Sequence, residues 1–195
     1  YAKEFTDMPF LVRVEDINGT VQPGRFLNAK DLGRQEEGAD FQMVLIDETT
    51  NEIVIPNGTM GERHTNPQKW NLRLENRNTG AKIDPRLSVF DQREDVTVVK
   101  LPYFGDEEHE GVIERAIPTI TVQTVDGPVK VTTVYDLILA NYGIDRGIGG
   151  EVATSYTDDT PYTPTWQEKI TGVKADIAIA TAREFADNAE KTKGR

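Results

Sequence analysis

The sequence contains no cysteine in its 195 residues and has only two histidines. The lack of cysteine excludes disulfides, thiol nucleophiles, and zinc or iron–sulfur sites ligated by cysteine from these residues. A general base assigned to His64 or His109 needs a nucleophilic partner, and no pattern nearby marks one. Both histidines lie in polar stretches, so we interpret them as exposed loop residues.

Basic residues are also scarce, since 22 Lys and Arg face 33 Asp and Glu, which gives a formal net charge of −11. Nucleic-acid and polybasic membrane surfaces need clustered Lys and Arg, so the sequence predicts no nucleic-acid partner. No apolar run approaches the roughly 18–20 residues of a membrane span, and no signal peptide opens the sequence. The sequence begins with Tyr1 and stops just after a predicted helix, which favours an internal segment of a larger protein.

The first two-thirds of the sequence are typical of strands joined by turns. The Asn18-Gly19 dipeptide predicts a tight hairpin turn, and Asp126-Gly127-Pro128 predicts another. A third hairpin is predicted around the polar residues 47–52, and an irregular loop over 57–68. The predicted strands are residues 10–14 with 24–27, 41–46 with 53–55, 70–74, 95–101, and 117–125 with 129–132.

The last third is typical of helices. A helix is predicted over 133–143 with a glycine stop, followed by a polar loop over 144–162. Thr163 is suited to cap a short helix that Pro164 opens and Gly172 ends. A last helix is predicted from about Ala175 to Glu190. One face of this helix carries Ile177, Ala178, Thr181, Ala182, Phe185 and Ala189.

These elements predict an α+β fold in which antiparallel β-hairpins are followed by C-terminal helices. We divide the sequence into a β-rich hairpin region, residues 1–131, and a helical segment, residues 132–195.

Several patterns invite a functional interpretation that their context does not support. The acidic cluster 106–110 lacks the spacing of a calcium loop, and the glycine-rich 147–150 neither follows a strand nor opens a helix. Residues 18–20 and 57–59 fit the glycosylation pattern but fit turns better. We interpret Trp70 and Trp166 as packing residues. The sequence therefore predicts no catalytic, cofactor-binding or metal-binding residue in this chain.

One motif nevertheless carries a family resemblance. Residues 162–173 read Tyr-Thr-Pro-Thr-Trp-Gln-Glu-Lys-Ile-Thr-Gly-Val, and residues 182–186 read Ala-Arg-Glu-Phe-Ala. Both resemble a signature of the molybdopterin oxidoreductase (DMSO reductase) family. Phe-Thr-Asp-Met-Pro-Phe-Leu-Val at 5–12 is similar to a strand of the same family.

Further segments narrow the resemblance to the alpha (catalytic) subunits of membrane-bound respiratory nitrate reductases. The resemblance extends over essentially the whole chain. The segments that carry it are 56–61, 69–72, 102–105, 132–137, 139–143, 153–156 and 184–189.

This resemblance implies a parent enzyme that reduces nitrate to nitrite with electrons from quinol. It implies a molybdenum bis(molybdopterin guanine dinucleotide) cofactor and one [4Fe–4S] cluster in the parent, but neither ligand motif occurs in this chain. The implied partners are the rest of the alpha subunit, a beta iron–sulfur subunit and a haem-bearing gamma membrane subunit. The implied location is the cytoplasmic face of the cell membrane, through those partner subunits.

We therefore expect the 195-residue chain to be a structural segment without activity of its own. Two alternatives stay open. The chain could come from a related molybdopterin oxidoreductase acting on chlorate, perchlorate or selenate, or it could be a free-standing acidic interaction domain.

Overall fold

The computed structural model describes residues 3–4, 6–58, 73–103 and 111–192. It confirms the predicted α+β class, with antiparallel strands followed by helices. The strands are β1 (Leu11–Ile17), β2 (Thr20–Phe26), β3 (Leu45–Ile46), β4 (Ile53–Val54), β5 (Pro56–Asn57), β6 (Arg73–Asn76), β7 (Asp95–Pro102), β8 (Val112–Thr124) and β9 (Gly127–Thr133). The helices are α1 (Val134–Asn141), α2 (Pro164–Thr171) and α3 (Ala175–Thr192), with a single 3-10 turn at Ala39–Phe41.

The chain forms two compact units, each made of two stretches of sequence. Unit 1 comprises Tyr1–Val99 and Ile117–Leu137, and unit 2 comprises Lys100–Ala116 and Ile138–Arg195. The division falls within β7, β8 and α1. The division of the sequence into 1–131 and 132–195 stays a prediction about domain organisation.

A five-stranded antiparallel sheet in the order β2-β1-β9-β8-β7 organises the strands. Asn18 and Gly19 have φ of 57° and 81°, as a tight hairpin turn with two left-handed residues requires, and they join β1 to β2 as predicted. β1 also pairs with β9, with Leu11 opposite Thr133. The predicted hairpin of β8 and β9 is confirmed, with Thr124 opposite Gly127.

The strand β8 begins at Val112, five residues before the start predicted from the sequence. The charged pair Glu114-Arg115 concealed this extension, because a buried charged residue breaks the apolar alternation that marks a strand. Ile113 and Arg115 point inward, with exposures of 2% and 1%.

The predicted hairpin around residues 47–52 is confirmed as β3 paired with β4, but each strand has only two residues. The first strand of this hairpin was predicted over 41–46, but its first residue belongs to the 3-10 turn Ala39–Phe41. Gly38, at φ 82°, precedes this turn. Asn57 belongs to β5, which pairs with β6. Of the strand predicted over 70–74, the described part lies in β6 (Arg73–Asn76), and residues 70–72 lie outside the described residues, as does most of the loop predicted over 57–68.

Unit 1 encloses two apolar clusters. The smaller one contains Phe10, Leu45, Val54 and Ile83. Beyond these aliphatic contacts, Phe10 meets Phe26 edge-on at 6.4 Å. The larger cluster joins the inner faces of the sheet and the loops: Leu11, Leu27, Ala29, Ala39, Val44, Ile46, Ile55, Val89, Val122 and Val131.

The start of α1 is held by a buried carboxylate. The Thr133 hydroxyl accepts a hydrogen bond from the Asp136 amide and donates one to the Asp136 carboxylate, at 3.1 Å and 2.8 Å. That carboxylate also accepts from the Ser88 hydroxyl and the Val89 amide, at 2.6 Å and 2.9 Å. The predicted helix therefore begins with a reciprocal cap that also fixes the loop before β7.

The predicted last two helices are confirmed. The Thr163 hydroxyl accepts from the Trp166 amide at 3.1 Å, and Gly172 at φ 74° ends α2. No residue of α2 or α3 that the structure describes is buried. In the described ranges, no helix combines the length and the apolar character needed to cross a bilayer.

Candidate functional site

The strongest candidate site lies in unit 2, around four aromatic rings that we call the aromatic cluster: Tyr103, Tyr142, Tyr162 and Trp166. Tyr162 is its centre, with ring centroids 5.8 Å from Tyr103, 6.1 Å from Tyr142 and 5.2 Å from Trp166. Most of these pairs meet edge-on, the arrangement that the ring quadrupoles favour. The rings thus join the end of β7, the end of α1 and the start of α2.

Polar atoms fix the orientation of these rings. The Trp166 indole N–H donates to the Tyr103 hydroxyl at 3.1 Å, and the Tyr162 hydroxyl donates to the Pro102 carbonyl at 3.2 Å. Trp166 was predicted to be a packing residue, and these contacts agree with that interpretation.

The backbone of Tyr162 is strained. Its φ of 74° lies in the left-handed region, which a bulky residue rarely occupies. The next residue, Thr163, is buried and donates its hydroxyl to the Asp158 carbonyl at 2.6 Å while it caps α2. The Asp158 carboxylate in turn accepts from the Thr154 hydroxyl, then the Thr154 and Ser155 amides, and these bonds lower its pKa below the ordinary value.

A buried guanidinium lies within the same unit. Arg115 is 1% exposed, and its Nη1 contacts a Glu151 carboxylate oxygen at 3.5 Å. Its Nε and Nη2 have no hydrogen-bond partner in the described part of the chain. Burial lowers the pKa of Arg115, while the nearby Glu151 charge opposes this effect. This burial was not predicted from the sequence, because arginine side chains are usually exposed.

The loop 144–162 passes close to this arginine. A Cβ at Gly143 would lie 3.4 Å from Arg115 Nη2, and one at Gly150 would lie 3.1 Å from the Ala116 amide nitrogen. Gly150 also has φ 88°, so a larger residue there would be both strained and crowded. The glycine-rich stretch 147–150, which lies in the predicted polar loop, therefore permits a close backbone approach at Gly150.

A cleft of about 600 Å³ opens beside the aromatic cluster, with Tyr142, Ile144, Ala153, Tyr156 and Tyr162 among its lining residues. The lining includes Ser155 and Asp145, but among the described residues the Ser155 hydroxyl pairs with Thr157 and the Asp145 carboxylate accepts from the Gly147 amide, so no hydrogen bond pairs a nucleophile with a base. The described part of the chain holds no group of three metal-ligating side chains. The geometry here is that of packing and orientation.

Several residues considered from the sequence lie elsewhere. Asn18 and Gly19 form the β1–β2 turn, and Asn57 lies in β5. His64, Trp70 and the cluster 106–110 with His109 lie outside the described residues. The expectation of no catalytic, cofactor-binding or metal-binding residue stays a prediction.

Comparison with known proteins shows which chains this sequence is similar to. No protein-family model matches it. The chain is 46% identical over all of its 195 residues to the nitrate reductase alpha chain of Bacillus subtilis (strain 168), and it covers 16% of that relative. It is 42% identical to the respiratory nitrate reductase 1 alpha chain of Escherichia coli (strain K12), again over all of its residues and 17% of the relative.

A third relative, the nitrate reductase alpha subunit of Mycobacterium tuberculosis (strain CDC 1551 / Oshkosh), is 40% identical over 200 aligned positions and is covered to 16%. The chain thus spans about a sixth of the length of the curated relatives it matches. Since the likeness includes all of its residues, the chain corresponds in sequence to a segment of the nitrate reductase alpha chains that it matches.

Proposed function

We propose that the chain is a structural segment of the alpha subunit of a respiratory nitrate reductase. The subunit would reduce nitrate to nitrite and water, with the uptake of two electrons and two protons. The observation that carries this proposal is the 46% identity with the Bacillus subtilis nitrate reductase alpha chain across all residues.

The implied cofactors of the parent subunit are the molybdenum bis(molybdopterin guanine dinucleotide) centre, which supplies oxygen-atom transfer, and one [4Fe–4S] cluster. The residues of this chain do not fit either group. The sequence has no cysteine to ligate a cluster, and the described residues contain no set of three His, Asp or Glu side chains placed to hold a metal ion. We therefore assign the cofactor ligands to parts of the alpha subunit outside these 195 residues.

The proposed role of this segment is to support the rest of the alpha subunit structurally. Its described residues form a closed β core in unit 1 and an oriented aromatic cluster with two exposed helices in unit 2. Such elements are rigid and would hold other parts of the enzyme in position. Binding and orienting the cofactor is what the protein contributes to cofactor chemistry.

The proposed partners are the rest of the alpha subunit, a beta iron–sulfur subunit and a haem-bearing gamma subunit in the membrane. Through them the segment would be associated with the cytoplasmic face of the cell membrane. Co-purification of all three subunits with tagged alpha chain, from the membrane fraction, tests this assembly.

The activity is tested with reduced viologen as electron donor. We expect the complete alpha chain that contains this segment to consume nitrate and the isolated 195 residues to consume none. Parallel assays with chlorate, perchlorate and selenate separate the related enzymes. A higher kcat/KM for one of these anions than for nitrate would contradict the proposed substrate, and turnover by the isolated segment would contradict its structural role.

A further inference from the structure

Tyrosine rings wall the cleft that opens beside the aromatic cluster in unit 2. The residues around this cleft include three tyrosines, Tyr142, Tyr156 and Tyr162, and we call it the tyrosine cleft. Tyr142 is 55% exposed and Tyr156 is 62% exposed, so much of the surface of both side chains is open to solvent. Exposed tyrosines around a concave surface are typical of a binding site and not of a packed core.

Two of these rings form a corner. The planes of Tyr142 and Tyr162 meet at 81°, and their centroids lie 6.1 Å apart. A cation placed in such a corner can reach both ring faces, because the attraction of a cation to a ring acts within about 6 Å of the centroid. The hydrogen bond from the Tyr162 hydroxyl to the Pro102 carbonyl fixes one wall of the corner before a ligand binds.

The charges around the tyrosine cleft favour a cation. Its described lining contains the carboxylate of Asp145 and no lysine, arginine or histidine side chain. A second carboxylate, that of Asp158, accepts three hydrogen bonds from residues 154–155, which also line the cleft. The Arg115 guanidinium lies in the same unit, but it is buried, and a Glu151 carboxylate oxygen lies 3.5 Å from its Nη1.

Polar groups of the lining already hold hydrogen bonds within the chain. The Ser155 hydroxyl pairs with that of Thr157 at 2.9 Å, and one oxygen of the Asp145 carboxylate accepts from the Gly147 amide at 2.9 Å. An ammonium ion with N–H groups needs several acceptors to replace its water. A quaternary ammonium ion donates no hydrogen bond, so ring faces and a negative charge are sufficient to bind it.

We propose that the tyrosine cleft binds a small organic cation that carries a trimethylammonium group. The methyl groups contact the faces of the three tyrosine rings, and the Asp145 carboxylate supplies the opposite charge. The cleft volume of about 600 Å³ is in the range of small-molecule sites and leaves room for the chain attached to the ammonium group. This binding goes beyond the proposed structural role of the segment and does not depend on nitrate reduction.

The test measures the binding of labelled choline to the complete alpha chain by equilibrium dialysis. The matched probe is the neutral carbon isostere of choline, in which a tert-butyl group replaces the trimethylammonium group, and its affinity is measured by competition. We expect one saturable site that binds choline at least about tenfold more tightly than the isostere, because only the cation is attracted to ring faces and to a carboxylate. A smaller ratio, or no saturable binding, would overturn the proposal.

Tyr156→Leu and Tyr156→Phe form the matched pair that assigns binding to this cleft. Leucine keeps an apolar side chain without a ring face, and phenylalanine keeps the face without the hydroxyl. We expect the leucine variant to bind choline at least about threefold more weakly and the phenylalanine variant to stay within about twofold of the native chain. A smaller loss for leucine, or an equal loss for both, would overturn the proposal. The ratio of choline to its isostere needs no variant, so it decides even if a variant does not fold.

Two macromolecular sources of the same group are further outcomes of the test. A peptide with trimethylated lysine and vesicles of phosphatidylcholine each compete with choline at matched concentrations of trimethylammonium groups. We expect neither to bind more tightly than choline, and tighter binding of either would overturn the assignment to a small molecule. Nitrate reduction is assayed on the same preparation. An active enzyme without choline binding refutes this proposal alone, and selective choline binding without nitrate reduction refutes the proposed activity alone.

Discussion

The two units of the chain differ in how they bury apolar side chains. Unit 1 closes two apolar clusters between its sheet and its loops, and Leu11, Leu27 and Val44 in the larger cluster are completely buried. In unit 2 the described buried apolar residues come from β7, β8, α1 and the residue after β7, whereas α2 and α3 bury none.

This difference shows which contacts stabilise each unit. A sheet with covering loops can enclose a core within about a hundred residues, but two helices that touch each other bury only one side each. Within the described residues, the two helices α2 and α3 are therefore the elements that gain the least stability from burial. The following predictions test this comparison.

The largest effect is expected in the core of unit 1. Leu11→Ala removes a fully buried side chain from the larger cluster and should lower the free energy of unfolding by about 2–5 kcal/mol. Urea unfolding followed by circular dichroism measures this loss. The exposed Ile17→Ala in the same strand serves as control, and a similar loss there would show that β1, and not the core, is being probed.

Arg115→Met should leave the stability of unit 2 unchanged or raise it by up to about 4 kcal/mol. Two nitrogens of this buried guanidinium have no described partner, and methionine fills much of the same volume without a charge. Amide hydrogen exchange over residues 138–192 measures the change, with Arg115→Ala as a control that leaves a void. A loss above about 2 kcal/mol for the methionine variant would show that the charge is satisfied.

A pH dependence is expected from Asp31 in unit 1, which is 4% exposed. Burial raises the pKa of its carboxyl, but hydrogen bonds from Arg25 and the Asn28 amide, with the charges of Arg25 and Arg13, outweigh burial and hold the pKa below its ordinary value. The ionised carboxylate therefore stabilises the fold above the ordinary pKa near 3.8, and this contribution is lost as the pH falls through the lower folded pKa.

Accordingly, Asp31→Asn should cost about 1.5–3 kcal/mol at pH 7. The cost should be smaller at pH 3, because below the ordinary pKa of 3.8 the unfolded chain binds the proton and the ionised folded state loses part of its advantage. Urea unfolding at the two pH values measures the difference. An equal loss of unfolding free energy at the two pH values would mean that the charge of the carboxylate does not contribute to its interaction with Arg25 and Arg13.

The smallest effect is expected at Phe185 on α3, in the 195-residue chain itself. Phe185→Ser changes a side chain that is 77% exposed and should alter the free energy of unfolding by less than about 0.5 kcal/mol. A loss as large as that of Leu11→Ala would show that α3 is already covered within the segment, and the contrast between the units would disappear.

Local signals in the sequence were sufficient for several elements. Asn18-Gly19 fixed the first hairpin, and Thr163, Pro164 and Gly172 fixed both ends of α2, because each acts through atoms within a few residues of itself. The resemblance of residues 162–173 was sufficient for the family. Within the candidate site, the sequence marked Trp166 for packing and Thr163 as a helix cap. Tyr103 and Tyr162 entered only as members of family-like segments, and Arg115 was not considered.

The missed features depend on contacts between distant residues. Val112–Ala116 was not predicted as strand because its charged residues conceal an alternation that only the buried setting of Arg115 restores. Tyr103 joins the aromatic cluster through a hydrogen bond from Trp166, 63 positions away. The periodicity of one segment contains no information about a partner so distant in the sequence.

The sequence by itself determined the α+β class, the turns, the helix ends and the family, since these follow from neighbouring residues and from a motif. Only the tertiary structure decided that β1 lies beside β9, that Arg115 is buried, and that Phe185 faces solvent. The physical reason is that strand order and the choice of packed face depend on which surfaces meet across the fold, and an amphipathic pattern records only that a side is apolar.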